Sequence, residues 1–565
     1  MISVLKAVLS ASVYLCSREQ KPESIKWHAK GNIRMKPILG LYEKLKKNIG
    51  FAAMLLAGIT FVLLILFFVL FPDNLMHSDM AAEVILSKLL ADEGKLLSKS
   101  WFYSTEIRIV YTQLIMIPLF WLTSDFGTVK LASVIICNLL LVAAFCFAAR
   151  KFDLKKGSLW LALALLLAPL SNEYLDMMFL GCFYTAQVIC TYLVIGFFVK
   201  ERPVKRWLFL LRTALLCVSA LILGLSGLRY LASLYLPLLA AVLISYGVDE
   251  KKERGKGLFA GLSLSVLMTG FAGIGFLINK FVLAAHYSFD KTSSVSFVPL
   301  SEVPDRLLAS LRLMLEFFGY RQLEVVTPLG MVNAVKFAFF LFLIYTVFYL
   351  TKHRYEILNV KQRLLLYYFY ACFLLNWYML VFTDVLQQYR YWIPVYVTAV
   401  FLMGLYFKNA KHKSEFLKPA LTALAALTVL ASLYGELWQD TKYNDCEKRY
   451  GYMEFLEKEN YTFGYATFWN SSVTEYLSNG EIHVGNLGGK DGVSAPYEWL
   501  SPKYYYEEGY HTGKTFLLLA KTEEPALFNG DITVMQDSVK VYEDAYYVVY
   551  EGEGMYLFSN GGGEK

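Results

Sequence analysis

Residues 131–170 read LASVIICNLLLVAAFCFAARKFDLKKGSLWLALALLLAPL. Two apolar runs, 131–149 and 158–170, flank a short connection holding Arg150, Lys151, Lys155 and Lys156. Runs this apolar read as membrane-spanning helices, and a short connection rich in Lys and Arg stays on the cytoplasmic side. The same pattern continues in both directions. Apolar runs at 49–71, 182–199, 207–225, 231–246, 258–278, 334–350, 364–382, 392–407 and 420–437 bring the number to about eleven. Four more basic connections, 200–206, 251–256, 352–363 and 408–418, alternate with connections nearly free of positive charge, such as 171–181. All five therefore face the cytoplasm, as does the basic segment 1–48.

Parity settles the ambiguous apolar stretch 107–122. A crossing there would turn every later basic loop outward, so it belongs in the outer interface or re-enters, and 72–130 becomes one long external loop. A second external loop runs from 280 to 333, and 438–565 is external as well. The expected fold is a polytopic α-helical membrane protein: a cytoplasmic tail (1–48), a transmembrane domain of about eleven helices (49–437) and a C-terminal extracytoplasmic α+β domain (438–565). In that last domain, strand-like runs at 515–520, 532–534 and 545–550 follow a helical start near 444–458. With 56% hydrophobic and only 18% charged residues, the chain is no soluble domain. Its net charge of +7 lies in loops beside apolar runs, which makes it topology and gives no nucleic-acid partner. The eight cysteines form no CxxC or disulfide framework, since only Cys446 lies in the polar C-terminal region.

The first external loop carries the densest chemistry. In PDNLMHSDMAAE (72–83), Ser78 is the expected N-cap, so Asp79 falls in the first turn and Glu83 one turn later on the same face, beside His77. Val84, Ile85, Leu89 and Leu90 on the opposite face suit the lipid interface. The structural alternative is helix capping, because acids in a first turn favour the dipole. Glu106 and Arg108 follow at the same depth, and Glu173, Asp176, Arg229, Asp384 and Arg390 sit where short loops leave the membrane on that side. Ionisable groups at such depths usually mark substrate paths.

At these residues the chain resembles the GT-C glycosyltransferases, nearest the dolichyl-phosphate-mannose protein mannosyltransferase-like group with its bacterial polyprenyl-phosphate-sugar enzymes. The likeness rests on a long first loop with an acid just after span one, a second acid before an apolar juxtamembrane segment, and Arg390-Tyr391-Trp-Ile-Pro394 opening a late span. It covers residues 49–437. It implies an inverting transfer of a sugar from a polyprenyl phosphate to an extracytoplasmic glycan, lipid or protein. Asp79 falls on the first-loop catalytic acid, although relatives with Asp-Glu there contrast with Asp79-Met80 here. Glu106 corresponds to the later loop acid, and Arg390 to the arginine near the lipid phosphate. Arg108, Arg229, Glu83, Asp176 and Tyr391 complete the expected substrate-binding set. The resemblance allows a divalent cation, with His286 and Glu106 as its ligands; no other cofactor is implied. Two rivals stand beside this reading. A lipid-linked polymerase or ligase would use arginines of the later loop, Arg306, Arg312 and Arg321. A flippase or transporter would carry charge in mid-span.

Overall fold

The computed structural model describes residues 35–554 except 200–204, 250–255, 290–294, 412–415, 443, 445, 491–492 and 524–537. The expected N-terminal tail up to residue 34 and the strand at 532–534 lie outside the described residues. The chain divides into two units, Met1–Ile49 and Gly50–Lys565; the first is described only as helical backbone from Met35 onward.

Among the described residues nine helices are long and apolar enough to cross a membrane. They begin with Ile49–Leu70 and Phe126–Lys151 and end with Tyr389–Asn409 and Leu417–Trp438. The two remaining apolar runs are shorter. Lys156–Leu167 joins Asn172–Leu180 at a 106° bend, and Thr185–Phe198 follows with 14 residues. At 1.5 Å per residue each of these two helices measures only about 20 Å, less than the ~30 Å hydrocarbon thickness. Leu161–Leu167 is buried throughout, so protein surrounds it. The bend brings Asn172–Leu180 across the bundle instead of along it. With these two, each of the eleven apolar runs coincides with a helix. The stretch 107–122 contains only the short helix Gln113–Phe120, interrupted by Pro118, in accord with the parity argument.

Ile393–Phe407 is buried on every side, which makes it the central helix of the bundle. Helices at the rim leave Phe51, Leu215 and Phe348 more than 60% exposed, an apolar surface that only lipid can cover. The basic connections gather at one end of the bundle. There Lys361 pairs with Asp153 at 2.9 Å, Arg363 with Asp249 at 3.0 Å, and the Tyr349 hydroxyl donates to the Lys411 carbonyl at 2.7 Å.

At the other end four helix termini pass into π-helical turns: Asp176–Leu180, Leu231–Tyr235, Ile278–Leu283 and Leu433–Trp438. Such turns concentrate at functional sites. Above them a six-stranded sheet is built from β3 (Phe463–Thr467), β4 (His483–Lys490), β5 (Val493–Pro496), β7 (Lys514–Ala520), β8 (Val539–Glu543) and β9 (Tyr547–Glu553), in the order β5-β4-β3-β7-β9-β8. In this sheet, among the described residues, β3 pairs in parallel with β4 and β7 and the other pairings are antiparallel. Tyr452, Phe516 and Val549 belong to one of its apolar clusters, and Phe463, Tyr505 and Leu519 to another. A second, small sheet ties distant segments together. β1 (Trp101–Tyr103), from the first long loop, lies between β2 (Ser288–Phe289) and β6 (Ser501–Pro502).

Candidate active site

The helix Ser78–Glu93 carries the first acids. Its N-cap is His77 and not Ser78; Ser78 is already helical, and its buried hydroxyl has no partner. Asp79 keeps its place in the first turn. Val84, Ile85 and Leu90 do not face lipid: each is at most 6% exposed, because the helix packs against Gln113–Phe120 and against Phe468–Leu477 of the C-terminal region. A juxtamembrane helix buried between two protein layers holds its acids far more rigidly than one floating in the interface.

His77 Nε2 stands 3.1 Å from Asp176 Oδ2, so the turn after the 106° bend reaches beneath the first loop. Burial alone would lower the His77 pKa, but the hydrogen bond and charge of Asp176 raise it overall. For Asp79 the dipole would lower the pKa; desolvation prevails instead and raises it, aided by Asp176 and opposed by His77, Arg108 and Arg390. Glu83 is buried and pushed up to about 7 by desolvation, with Arg108 and Lys130 pulling the other way. The raised pKa makes Asp79 a better proton acceptor than an ordinary first-turn carboxylate.

Glu106 and the three arginines form the opposite wall. Arg229 Nη2 lies 3.9 Å from Glu106 Oε1, its Nη1 donates to the Phe183 carbonyl at 3.2 Å, and its guanidinium sits 4.6 Å from the Tyr184 ring centroid. Arg108 lies 4.9 Å from the centroid of Tyr111, with Nε unpartnered. Arg390 approaches Glu173 Oε1 at 3.4 Å. It stands with Tyr391 in the 3-10 turn Tyr389–Trp392, which opens the central helix. The segment 107–110 is fastened from two sides. Asn279 Nδ2 donates to the carbonyls of Ile107 (2.9 Å) and Leu225 (2.7 Å), and Ser226 Oγ accepts from the amides of Ile109 and Val110. A cleft of about 250 Å³, counting its open mouth, is lined by Arg108, Tyr111, Phe183, Gln187, Ser226 and Arg229 among others.

Polar atoms left without partners crowd this one region: His77 Nδ1, Glu83 Oε2, Glu106 Oε2, Asp176 Oδ1 and the Tyr111 hydroxyl. Groups such as these can bind water or the polar groups of a ligand.

Gly227 explains how Glu106 fits. Its φ of +92° with ψ −169° is a region reserved for glycine, and a Cβ there would stand 1.8 Å from Glu106 Oε2. Gly227→Ala should cost about 1–3 kcal/mol of stability. Because it also pushes Glu106 off Arg229, activity should fall further than the lost stability explains, as melting and turnover measured on the same preparation will show.

His286 is exposed, and its Nδ1 contacts the Val282 carbonyl of its own helix at 2.8 Å. Among the described residues no group of three or more His, Cys, Asp or Glu could hold a metal ion. Asp384 is likewise outside the cluster: its carboxylate caps the Ser296 amide at 2.8 Å. Tyr111, Tyr184 and Gly227 were not visible as site residues in the sequence, since tyrosines beside apolar runs look like interfacial anchors.

No protein-family model and no curated protein matches the sequence. Solved structures do. ArnT from Cupriavidus metallidurans in the apo state, a GT-C glycosyltransferase, superposes with a TM-score of 0.53 over 88% of this chain and 97% of its own, at 12% identity. The chain has the fold of this protein, the GT-C fold. The oligosaccharyltransferase of Archaeoglobus fulgidus in its apo form is more distant, with a TM-score of 0.45, 13% identity, and 78% of this chain and 65% of that one covered. The same organism's AglB, in complex with an inhibitory peptide and a dolichol-phosphate, gives 0.45 at 12% identity over 86% and 71%.

Proposed function

We propose that this GT-C protein is a membrane glycosyltransferase that moves a sugar from a polyprenyl-phosphate donor to an extracytoplasmic acceptor by inverting displacement. The observation that carries the proposal is the placement of Asp79: a desolvated carboxylate at the mouth of the bundle, in electrostatic contact with Arg108 and Arg390 and beside the His77–Asp176 pair. Asp79 accepts the proton of the acceptor hydroxyl as its oxygen bonds to the anomeric carbon. The bond from that carbon to the phosphate oxygen breaks on the opposite side, its electron pair remaining with the lipid phosphate. Arg390, Arg229 and Arg108 take up the developing charge, with planar forks that match a phosphate. Glu106 and Glu173 hold two of these arginines in place before the phosphate arrives.

The arginines of the polymerase or ligase alternative have partners of their own. Arg306 donates to the carbonyls of Leu380 and Val385, Arg312 pairs with Glu316 on its own helix, and Arg321 is bound by Glu436 and Asn172.

Positive-inside asymmetry places the basic end in the cytoplasm and the site and C-terminal region outside. Single cysteines at the exposed positions Ser124 and Lys155 should be labelled by an impermeant thiol reagent from opposite sides; labelling from one side rejects this orientation. For the function, mass spectrometry of lipid-linked sugars and surface glycans, with and without the gene, should show a polyprenyl-phosphate sugar accumulating and one glycan modification vanishing. Unchanged profiles of both count against the proposal.

A further inference from the structure

We infer that Glu436 is a positioning residue for the active site, acting through Lys336 and Arg321 to clamp the 106° bend that carries Glu173 and Asp176. This inference rests on the proposed site, although its main readout does not require transfer activity.

Glu436 lies in the π-helical turn Leu433–Trp438 at the end of the last span. Its carboxylate is 2% exposed and receives two cations. Lys336 Nζ, 1% exposed, donates to Oε1 at 2.5 Å, and Arg321 Nη2 donates to Oε2. Each cation then reaches onward to one side of the same bend. Lys336 also donates to the Leu170 carbonyl at 2.8 Å, and Arg321 to Asn172 Oδ1 at 3.0 Å. Only Ser171 lies between those anchor points. Asn172 continues to Asp440 Oδ1 at 3.5 Å, and the Asp440 carbonyl accepts from Asn74 Nδ2 at 2.8 Å, three residues before His77. Gly319 completes the fit, for at its φ of +77° a Cβ would stand 2.2 Å from the Leu170 carbonyl oxygen and 2.7 Å from Lys336 Nζ.

A buried ion pair is a poor way to gain stability, since well-packed apolar residues often serve as well or better. Its distinctive property is direction. Here one carboxylate fixes two donors, and each donor fixes a backbone or side-chain acceptor beside a break in the helix. The residues after the break supply Glu173, which faces Arg390 at 3.4 Å, and Asp176, which holds His77 at 3.1 Å. Glu436 touches none of the site acids or arginines itself.

The test uses the full chain purified into lipid nanodiscs. Lys336→Met/Glu436→Leu removes the buried pair without leaving a lone buried charge, and Arg321→Gln cuts the links to Glu436 and Asn172 while keeping the Lys336–Glu436 pair. Both should melt close to the wild type. Amide hydrogen exchange across 172–180 should nevertheless speed up about tenfold or more, while that of the central helix does not change. With a polyprenyl-phosphate sugar as donor, KM for the donor should rise about tenfold and that for the acceptor should not move. Arg321→Lys, which keeps one charged donor, should restore part of both effects. Wild-type exchange across 172–180 in either folded variant overturns the inference. If the double variant fails to fold, Arg321→Gln decides alone, since Arg321 is 44% exposed and outside the buried core. If the wild-type protein transfers no sugar, the exchange result still stands, so failure of the proposed function and failure of the clamp give different outcomes.

Discussion

Asp79→Asn should fold and reach the membrane in normal amounts yet transfer sugar at least about a hundredfold more slowly, the usual contribution of a positioned general base. The substitution keeps shape and hydrogen-bonding capacity while removing the charge and the proton acceptor. Asp79 sits in a first turn whose N-cap position, held by His77, makes no side-chain capping bond. Its loss therefore takes little from the helix. Desolvation raises its pKa, so in the wild type kcat/KM should climb with pH through a value above the ordinary carboxylate range as Asp79 loses its proton. That acidic limb should vanish in the Asn variant. A first-turn acid kept only for its dipole would instead give a small loss of stability and near-normal turnover.

Arg390→Lys should reduce transfer by about ten- to a hundredfold, the cost of a charged hydrogen bond of about 1.5–3 kcal/mol, and should weaken the donor more than the acceptor. Arg390 is only about one-third exposed, its Nη1 lies 3.4 Å from Glu173, and its segment opens the central helix, whose N-terminal dipole also favours an anion. Lys keeps the charge but loses the two-pronged contact. If Arg390 were an interfacial anchor reaching for nonspecific lipid headgroups, Lys would serve almost as well. Donor dependence identical to the wild type in Arg390→Lys would move the phosphate contact to Arg229, which lies 3.9 Å from Glu106 and against the Tyr184 ring.

The spans were legible because each is a continuous apolar run, and hydropathy depends on neighbours along the chain. Even the decision against a crossing at 107–122 needed only the alternation of basic loops, and Pro118 inside an eight-residue helix agrees with it. The bend after Leu170 was not legible. A 12-residue helix looks like an ordinary span until the burial of Leu161–Leu167 shows that protein, not lipid, encloses that stretch.

Asp79, Glu106, Arg108, Arg229 and Arg390 stood out because charge beside a membrane is costly wherever it occurs. What they pair with did not stand out. His77 meets Asp176 across 99 positions and Lys336 meets Glu436 across 100, and no local pattern encodes contacts of that range. The expected lipid-facing side of Ser78–Glu93 failed for the same reason. Its cover comes from Phe468–Leu477, nearly four hundred residues later in the chain. His286 was offered as a ligand by the resemblance, and its Nδ1 contacts the carbonyl four residues before it.

The central claim, that Asp79 drives sugar transfer from a lipid phosphate, is tested most directly by incubating the purified protein in nanodiscs with polyprenyl-phosphate sugars and a membrane extract as acceptor source, and following the donor lipid by mass spectrometry. Wild-type protein should convert one such donor to free polyprenyl phosphate with the sugar recovered on an acceptor, and Asp79→Asn should leave that donor intact. Conversion of the donor by Asp79→Asn at the wild-type rate would contradict that claim.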